Sequence, residues 1–377
     1  METTIAITGA GIAGLATAIG LRKLGYRPVI FEAAPAIKPL GAGLTLAANA
    51  LKSLEKIGIR EQTVAAGQMI DELKILDGKG KLVSHVHKPG NPDLDILAIH
   101  RADLHQVLLD QLDPGSLCLG QQVTGVKNTG RKAILEFANG SEFAADRVLA
   151  ADGIHSPIRR SLLPDAQPRY AGYTCWRAIS EAGDLEVKAA TETWSPEGRF
   201  GIVPLTGNRI YWFAVVNAPE QDPDRKNWTV HSVLGHFSRF HDPIPAVIRR
   251  TPTDQLIHSD ICDLSPLPRY RFDRVLLMGD AAHATTPNMG QGACQALQDA
   301  AVLTDILEKN ADWDAAFVQF EKRRLSRANQ VVNTSRMLGR IAQMQHPVLT
   351  GIRNNLFRLM PDSAGQKRMK TLLSTDF

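Results

Sequence analysis

Three stretches of this chain carry residue types whose spacing could do chemistry. Gly9-Ala10-Gly11-Ile12-Ala13-Gly14 follows the β-branched run Thr4 to Thr8 and opens a helical pattern reaching Leu24. After the break at Gly25 to Pro28, Val29-Ile30-Phe31 reads as a second strand ending in Glu32. Strand, Gly-x-Gly-x-x-Gly, helix, strand and acid is the arrangement that holds a dinucleotide. Gly9 permits the tight turn, Gly11 admits a pyrophosphate against the backbone, and Gly14 lets helix and strand pack closely. The helix N-terminus offers unpaired N–H groups and a partial positive charge to the phosphates, with Ala13 in its first turn. Glu32 would accept hydrogen bonds from both ribose hydroxyls and repel a 2′-phosphate. On these residues alone NAD and FAD are equally acceptable.

The second stretch, Ala151-Asp152-Gly153-Ile154-His155-Ser156-Pro157-Ile158-Arg159, is a strand end, a turn and a basic residue. The third runs from the apolar strand Arg274 to Met278 into Gly279-Asp280-Ala281-Ala282-His283, then Pro287 and Gly290-Gln291-Gly292. An apolar strand here delivers a carboxylate to its C-terminal end, where open α/β sheets bind their ligands. Gly290 and Gly292 would let a flat ring lie against backbone N–H groups at the start of a helix, which favours negative charge on the ring's polar edge.

The surrounding elements are those needed to position these stretches. The 377 residues contain 44% apolar and 22% charged side chains, as in an ordinary folded chain of two or three domains. That composition excludes disorder, a collagen-like fibre and a disulfide-stapled miniature. The net charge is only +4, from 43 Lys and Arg against 39 Asp and Glu, without a basic stripe, so nucleic acid is a poor partner. Cys118, Cys175, Cys262 and Cys294 are scattered, which argues against a zinc site or a secreted framework and for the cytosol. The uncharged run Ile5 to Leu21 imitates a signal peptide or membrane span, but its glycine spacing and its lack of preceding basic residues assign it to the dinucleotide site.

Glu72 to His87 reads as a hairpin around Asp77-Gly78-Lys79-Gly80, Arg101 to Leu112 as a helix, and Tyr170 to Asp260 as mostly strand. Helices dominate after Gly290. The fold class is therefore α/β, with a mostly antiparallel sheet inserted into a dinucleotide-binding fold that closes only when the Arg274 strand returns. The expected division is 1–70, 101–170 and 271–340 for the dinucleotide domain. Residues 71–100 and 171–270 form a substrate domain, and 341–377 a helical tail.

Together, Gly9-x-Gly11-x-x-Gly14, Asp152-Gly153 and Gly279-Asp280-Ala-Ala-His283 resemble the class A FAD-dependent aromatic hydroxylases, the group of salicylate, p-hydroxybenzoate and urate hydroxylases. The resemblance covers about the first 340 residues. It implies a glutathione-reductase-type fold and tightly bound, non-covalent FAD rather than NAD at the first motif. Glu32 would sit on the adenosine ribose, Asp280 on the ribityl chain and Arg101 near the phosphates. Asp152, Gly153 and Arg159 would contact FAD and, transiently, NAD(P)H. Gly279 would shape its turn, and Pro287, Gly290, Gln291 and Gly292 would line the ring. It further implies a monooxygenase in which NAD(P)H reduces FAD, O2 adds as a C4a-hydroperoxide, and one oxygen passes to a small aromatic or heteroaromatic substrate, an anionic one being favoured. No metal is expected, and the protein would be a monomer or homodimer.

On the substrate side, strand alternation groups Arg199 with Gly201 and Val203, and Tyr211 with Phe213. Arg199 could clamp an anion, and Tyr211 could hydrogen-bond it, with Pro287 positioning the ring. On an ordinary sheet both would instead face solvent. Trp176, Trp194 and Trp212 could line a pocket or merely fill a core, and His283 is expected to cap or pack beside the flavin. The competing readings are an isoprenoid epoxidase or reductase carrying the same motifs, and a non-catalytic binder on this scaffold.

Overall fold

The computed structural model describes residues 3–38, 41–87 and 92–359. Its first sheet grows from the most apolar strand. Ile5–Thr8 is buried at every position, as a strand covered on both faces must be. It pairs in parallel with Arg147–Ala150 on one side and Val29–Phe31 on the other. Val275–Leu277, Arg271–Phe272 and Leu117–Cys118 extend this to six strands. Val275–Leu277 thus lies beside Arg147–Ala150, although more than a hundred residues separate them in the chain.

Helix Ile12–Lys23 accounts for the uncharged N-terminal run. Residues Ala13 to Leu21 are all buried, because the helix is covered by the sheet and by helix Gly292–Lys309. The two helices approach so closely that a Cβ on Gly20 would lie 2.0 Å from Thr304 Oγ1. Among the described residues no helix is long and apolar enough to cross a membrane.

The second sheet has seven strands, in the order Ile257–Leu264, Pro168–Glu181, Arg209–Asn217, Gly198–Leu205, Ala190–Ser195, Glu72–Asp77 and Leu82–His87. The hairpin expected at Asp77 to Gly80 supplies the last two strands, joined in parallel to Ala190–Ser195. The return strand Ile96–His100, expected with the substrate segment, instead pairs with Gly43–Ala47 and Gln68–Met69 in a small third sheet.

Tyr170 to Asp260 is not all strand. It also holds helices Pro223–Lys226, Val230–Phe237 and Ile244–Arg249. Their local signals are a capping Asp222 before Pro223 and a capping box of Thr229 with Ser232. Val230, Val233 and Phe237 then recur at helical spacing and are buried. These helices cover one face of the seven-stranded sheet, and Trp176, Phe200 and Trp212 fill the core between, Phe200 stacking on Trp212 at 5.3 Å. Trp176 and Trp212 are therefore core residues rather than pocket residues. The opposite face looks towards the first sheet across a cavity. Helix Trp313–Ala342 runs between the two, and helix Pro347–Arg358 follows it.

Candidate active site

A cavity of about 430 Å³ lies between the glycine turns and the open face of the seven-stranded sheet. Gly9 sits at φ +90°, where a Cβ would stand 2.5 Å from the Ala151 carbonyl oxygen, and a Cβ on Gly14 would stand 2.0 Å from the oxygen of Gly9. Only glycine builds that turn. Gly11, by contrast, faces open space and lines the cavity beside Ile12 and Ala13. No side chain caps the helix that starts there, so its first N–H groups remain free for an anion. Helix Gly292–Lys309 is likewise uncapped by any side chain, and its start lines the cavity through Gly290, Gln291 and Gly292. Two unfilled helix ends and an open glycine cradle fit the diphosphate and ring edge of FAD.

The carboxylates take separate places. Glu32 lies outside the cavity lining, its Oε2 accepting from Ala10 N at 2.7 Å and its Oε1 from Ala34 N at 2.9 Å. Asp280 lines the cavity with Arg101. Desolvation pushes its carboxyl pKa up, against the pull of His283 and Arg101. Gly279 presents Asp280 from a turn at φ +55°, where a Cβ would press on Ala13 Cβ at 2.7 Å, so the first and third motifs dock on each other.

Behind that turn lies a buried charge cluster. Asp299 Oδ2 accepts from Gly279 N at 2.8 Å and pairs with His283 Nε2 at 2.7 Å, while Oδ1 accepts from Arg324 Nε at 2.6 Å. Burial alone would raise the Asp299 pKa, but His283, Arg324 and the Gly279 N–H together hold it down to about 2. His283 is absent from the cavity lining and packs beneath the turn.

Asp152 and Arg159 depart from expectation. Gly153 lines the cavity, but neither of them does. Arg159 is fully buried and donates to the carbonyls of Ala166, Ala281 and Ile154, leaving it no path to a transient nicotinamide. Both Asp152 carboxylate oxygens are buried, and desolvation raises its pKa against the opposing effects of Ser156 and Arg159. Through those three carbonyls Arg159 braces the second motif from below. Gln291 lines the cavity, but its side chain is buried and its Oε1 accepts from Asn49 and Gln295.

The sheet side is built row by row. Ile179, Tyr211 and Val203 are aligned across three strands, and Cys175, Val215, Arg199 and Trp194 across four. Arg199 and Tyr211 therefore face the cavity, not solvent, and Tyr211 packs on Gly43, where a Cβ would fall 2.4 Å from the ring. Burial raises the Tyr211 hydroxyl pKa well above its usual value. Arg199 is buried and fully engaged: Nη1 pairs with Glu192 at 2.9 Å, Nε donates to Gln343 at 2.7 Å, and Nη2 to Asn288 at 2.8 Å. It thus ties the inserted sheet to the Pro287–Met289 turn and to the end of the long helix. Asn288 also donates to the Tyr173 hydroxyl at 2.8 Å. Trp194 faces the same side but packs under Arg353 and against Phe357. No local motif marks Glu192, which strand register sets opposite Gly201, or Asn288 and Gln343, which a turn and a helix end bring to Arg199.

A dinucleotide cradle joined through one cavity to a charged and aromatic sheet face fits a FAD-dependent monooxygenase. The family model for a FAD binding domain matches residues 2–335, and the chain belongs to that family. It is 36% identical to the aurachin C monooxygenase/isomerase of Stigmatella aurantiaca over 361 residues, 95% of this chain and 94% of that protein. It is 31% identical to the 2-heptyl-3-hydroxy-4(1H)-quinolone synthase of Pseudomonas aeruginosa over 378 residues, 99% and 98% of the two chains. The solved structure of HpxO from Klebsiella pneumoniae complexed with FAD and uric acid superposes with a TM-score of 0.89 at 25% identity, covering 98% and 96% of the chains.

Proposed function

We propose that this monooxygenase hydroxylates a small aromatic or heteroaromatic ring seated between the Pro287–Gly292 loop and the sheet face bearing Tyr211, Phe213 and Arg199. The carrying observation is the single cavity shared by two uncapped helix starts and that sheet face. The name of one relative, a 4(1H)-quinolone synthase, supports a heteroaromatic substrate.

FAD, when bound, supplies the redox chemistry, with NAD(P)H as its reductant and O2 as co-substrate. The chain supplies placement. Gly11, Ala13 and the free N–H groups beside them would hold the diphosphate, Glu32 a ribose and Asp280 the ribityl hydroxyls, with Arg101 offering charge to the phosphates. Pro287, Gly290 and Gly292 would set the plane of the ring system. Phe213 and Val203 would exclude water from the reacting face, and Tyr211 would offer its neutral hydroxyl to a polar group of the substrate. Arg199 would position the Asn288 loop through its three bonds. Screening aromatic acids, purines and quinolones for stimulated NAD(P)H oxidation, with product masses, tests the reading. A flavin-loaded protein that oxidises NAD(P)H at one rate with every ring compound would contradict it.

A further inference from the structure

The middle row of the cavity face contains a matched pair of groups that nothing in the cofactor's binding uses. Arg177, Phe213, Gly201 and Glu192 lie in register on four consecutive strands. Gly201 lacks a side chain because the Phe213 ring occupies its space: a Cβ there would sit 2.0 Å from Phe213 Cε1. The row is therefore a flat aromatic floor with a cation at one end and a carboxylate at the other. Three strand spacings separate the ends by roughly 14 Å between Cα atoms. That span suits a bicyclic ring held by one hydrogen bond at each edge.

Both end groups have capacity to spare. Arg177 donates to Ser259 Oγ through Nη2, and among the described residues it forms no ion pair and no hydrogen bond through Nη1. Glu192 meets Arg199 through Oε1, whereas among the described residues Oε2 accepts nothing. Both line the cavity. Arg199 is the less available cation, since each of its nitrogens already donates.

We propose that Arg177 and Glu192 clamp the substrate across Phe213, Arg177 donating to a ring carbonyl and Glu192 accepting from a ring N–H. The substrate class is then a neutral bicyclic lactam-like heteroaromatic, with C=O and N–H on opposite edges. This rests on the hydroxylase reading above and specifies it.

The probes are 4-quinolone and chromone, which differ only in ring N–H against ring oxygen. Their dissociation constants are read from the flavin absorbance of the FAD-loaded protein. Loss of a charge-assisted hydrogen bond predicts about 10- to 100-fold weaker binding of chromone. In Glu192→Gln the two ligands should converge to within about threefold, and Arg177→Met should weaken both together by about tenfold. Equal affinities in the unmodified protein, or an unchanged ratio in Glu192→Gln, would overturn the clamp. Because the comparison rests on the ligand, a poorly folding variant leaves it decisive. Turnover of an aromatic acid with no binding of either probe would overturn the clamp while sparing the hydroxylase reading. If no ring compound is oxidised by flavin-loaded protein, the reading beneath it fails instead.

Discussion

The two halves of the cavity are built from different materials. On the dinucleotide side the surface is backbone: Gly11, Gly290 and Gly292 with the open starts of two helices. On the sheet side it is side chain: Arg177, Glu192, Arg199, Tyr211 and Phe213, drawn from four strands. A backbone site depends on glycine turns and helix starts set by neighbours in sequence, which is a local property. A side-chain site depends on register between distant segments, and can change its ligand without disturbing the scaffold.

Substitutions should divide along the same line. The largest effect is expected at Gly14→Val, whose Cβ would collide with the Gly9 carbonyl. Bound FAD should be lost, and a bright yellow, folded variant would break the account of the turn. Asp280→Ala comes next, expected to weaken FAD by about 10- to 100-fold by removing the carboxylate proposed to accept from the ribityl hydroxyls, measurable by flavin fluorescence on dilution. Arg199→Met should cost about 3 kcal/mol of stability, since Glu192 and Asn288 lose their partner inside the protein, and should raise the substrate KM while FAD stays bound. Thermal unfolding and steady-state kinetics check both. The smallest effect on turnover is expected from Val233→Ala in the core behind the sheet, which should lower stability by about 1–3 kcal/mol without moving KM.

Acid titration sharpens the contrast from the buried cluster. Asp299 has its pKa depressed from 3.8 to about 2, so its stabilising contribution is complete above about 4 and is lost as pH falls towards 2. Flavin release should therefore steepen over that range. Asp299→Asn should remove this step while leaving the substrate KM at neutral pH unchanged, because Asp299 holds Gly279 and does not reach the cavity.

The difference in materials also explains what could be read from the sequence. Gly9, Gly14 and Gly279 were legible because each is a local steric requirement, and the strand insertion between Arg147–Ala150 and Val275–Leu277 followed from the alternation of element types along the chain. Helices Pro223–Lys226 and Val230–Phe237 carried capping signals that the surrounding strands obscured. Arg159 looked available because a basic residue after Asp-Gly suggests a ligand, while the carbonyls that consume it come from Ile154, Ala166 and Ala281. Glu192 gave no signal at all. Its place opposite Gly201 follows from the pairing of Ala190–Ser195 with Gly198–Leu205.

The most direct test of the central claim is isotopic. The flavin-loaded protein, given NAD(P)H, 4-quinolone and oxygen enriched in the heavy isotope, should yield a hydroxylated ring whose new oxygen carries the label. A product oxygen drawn from water, or NAD(P)H consumed with only hydrogen peroxide formed across the aromatic and heteroaromatic panel, would contradict it.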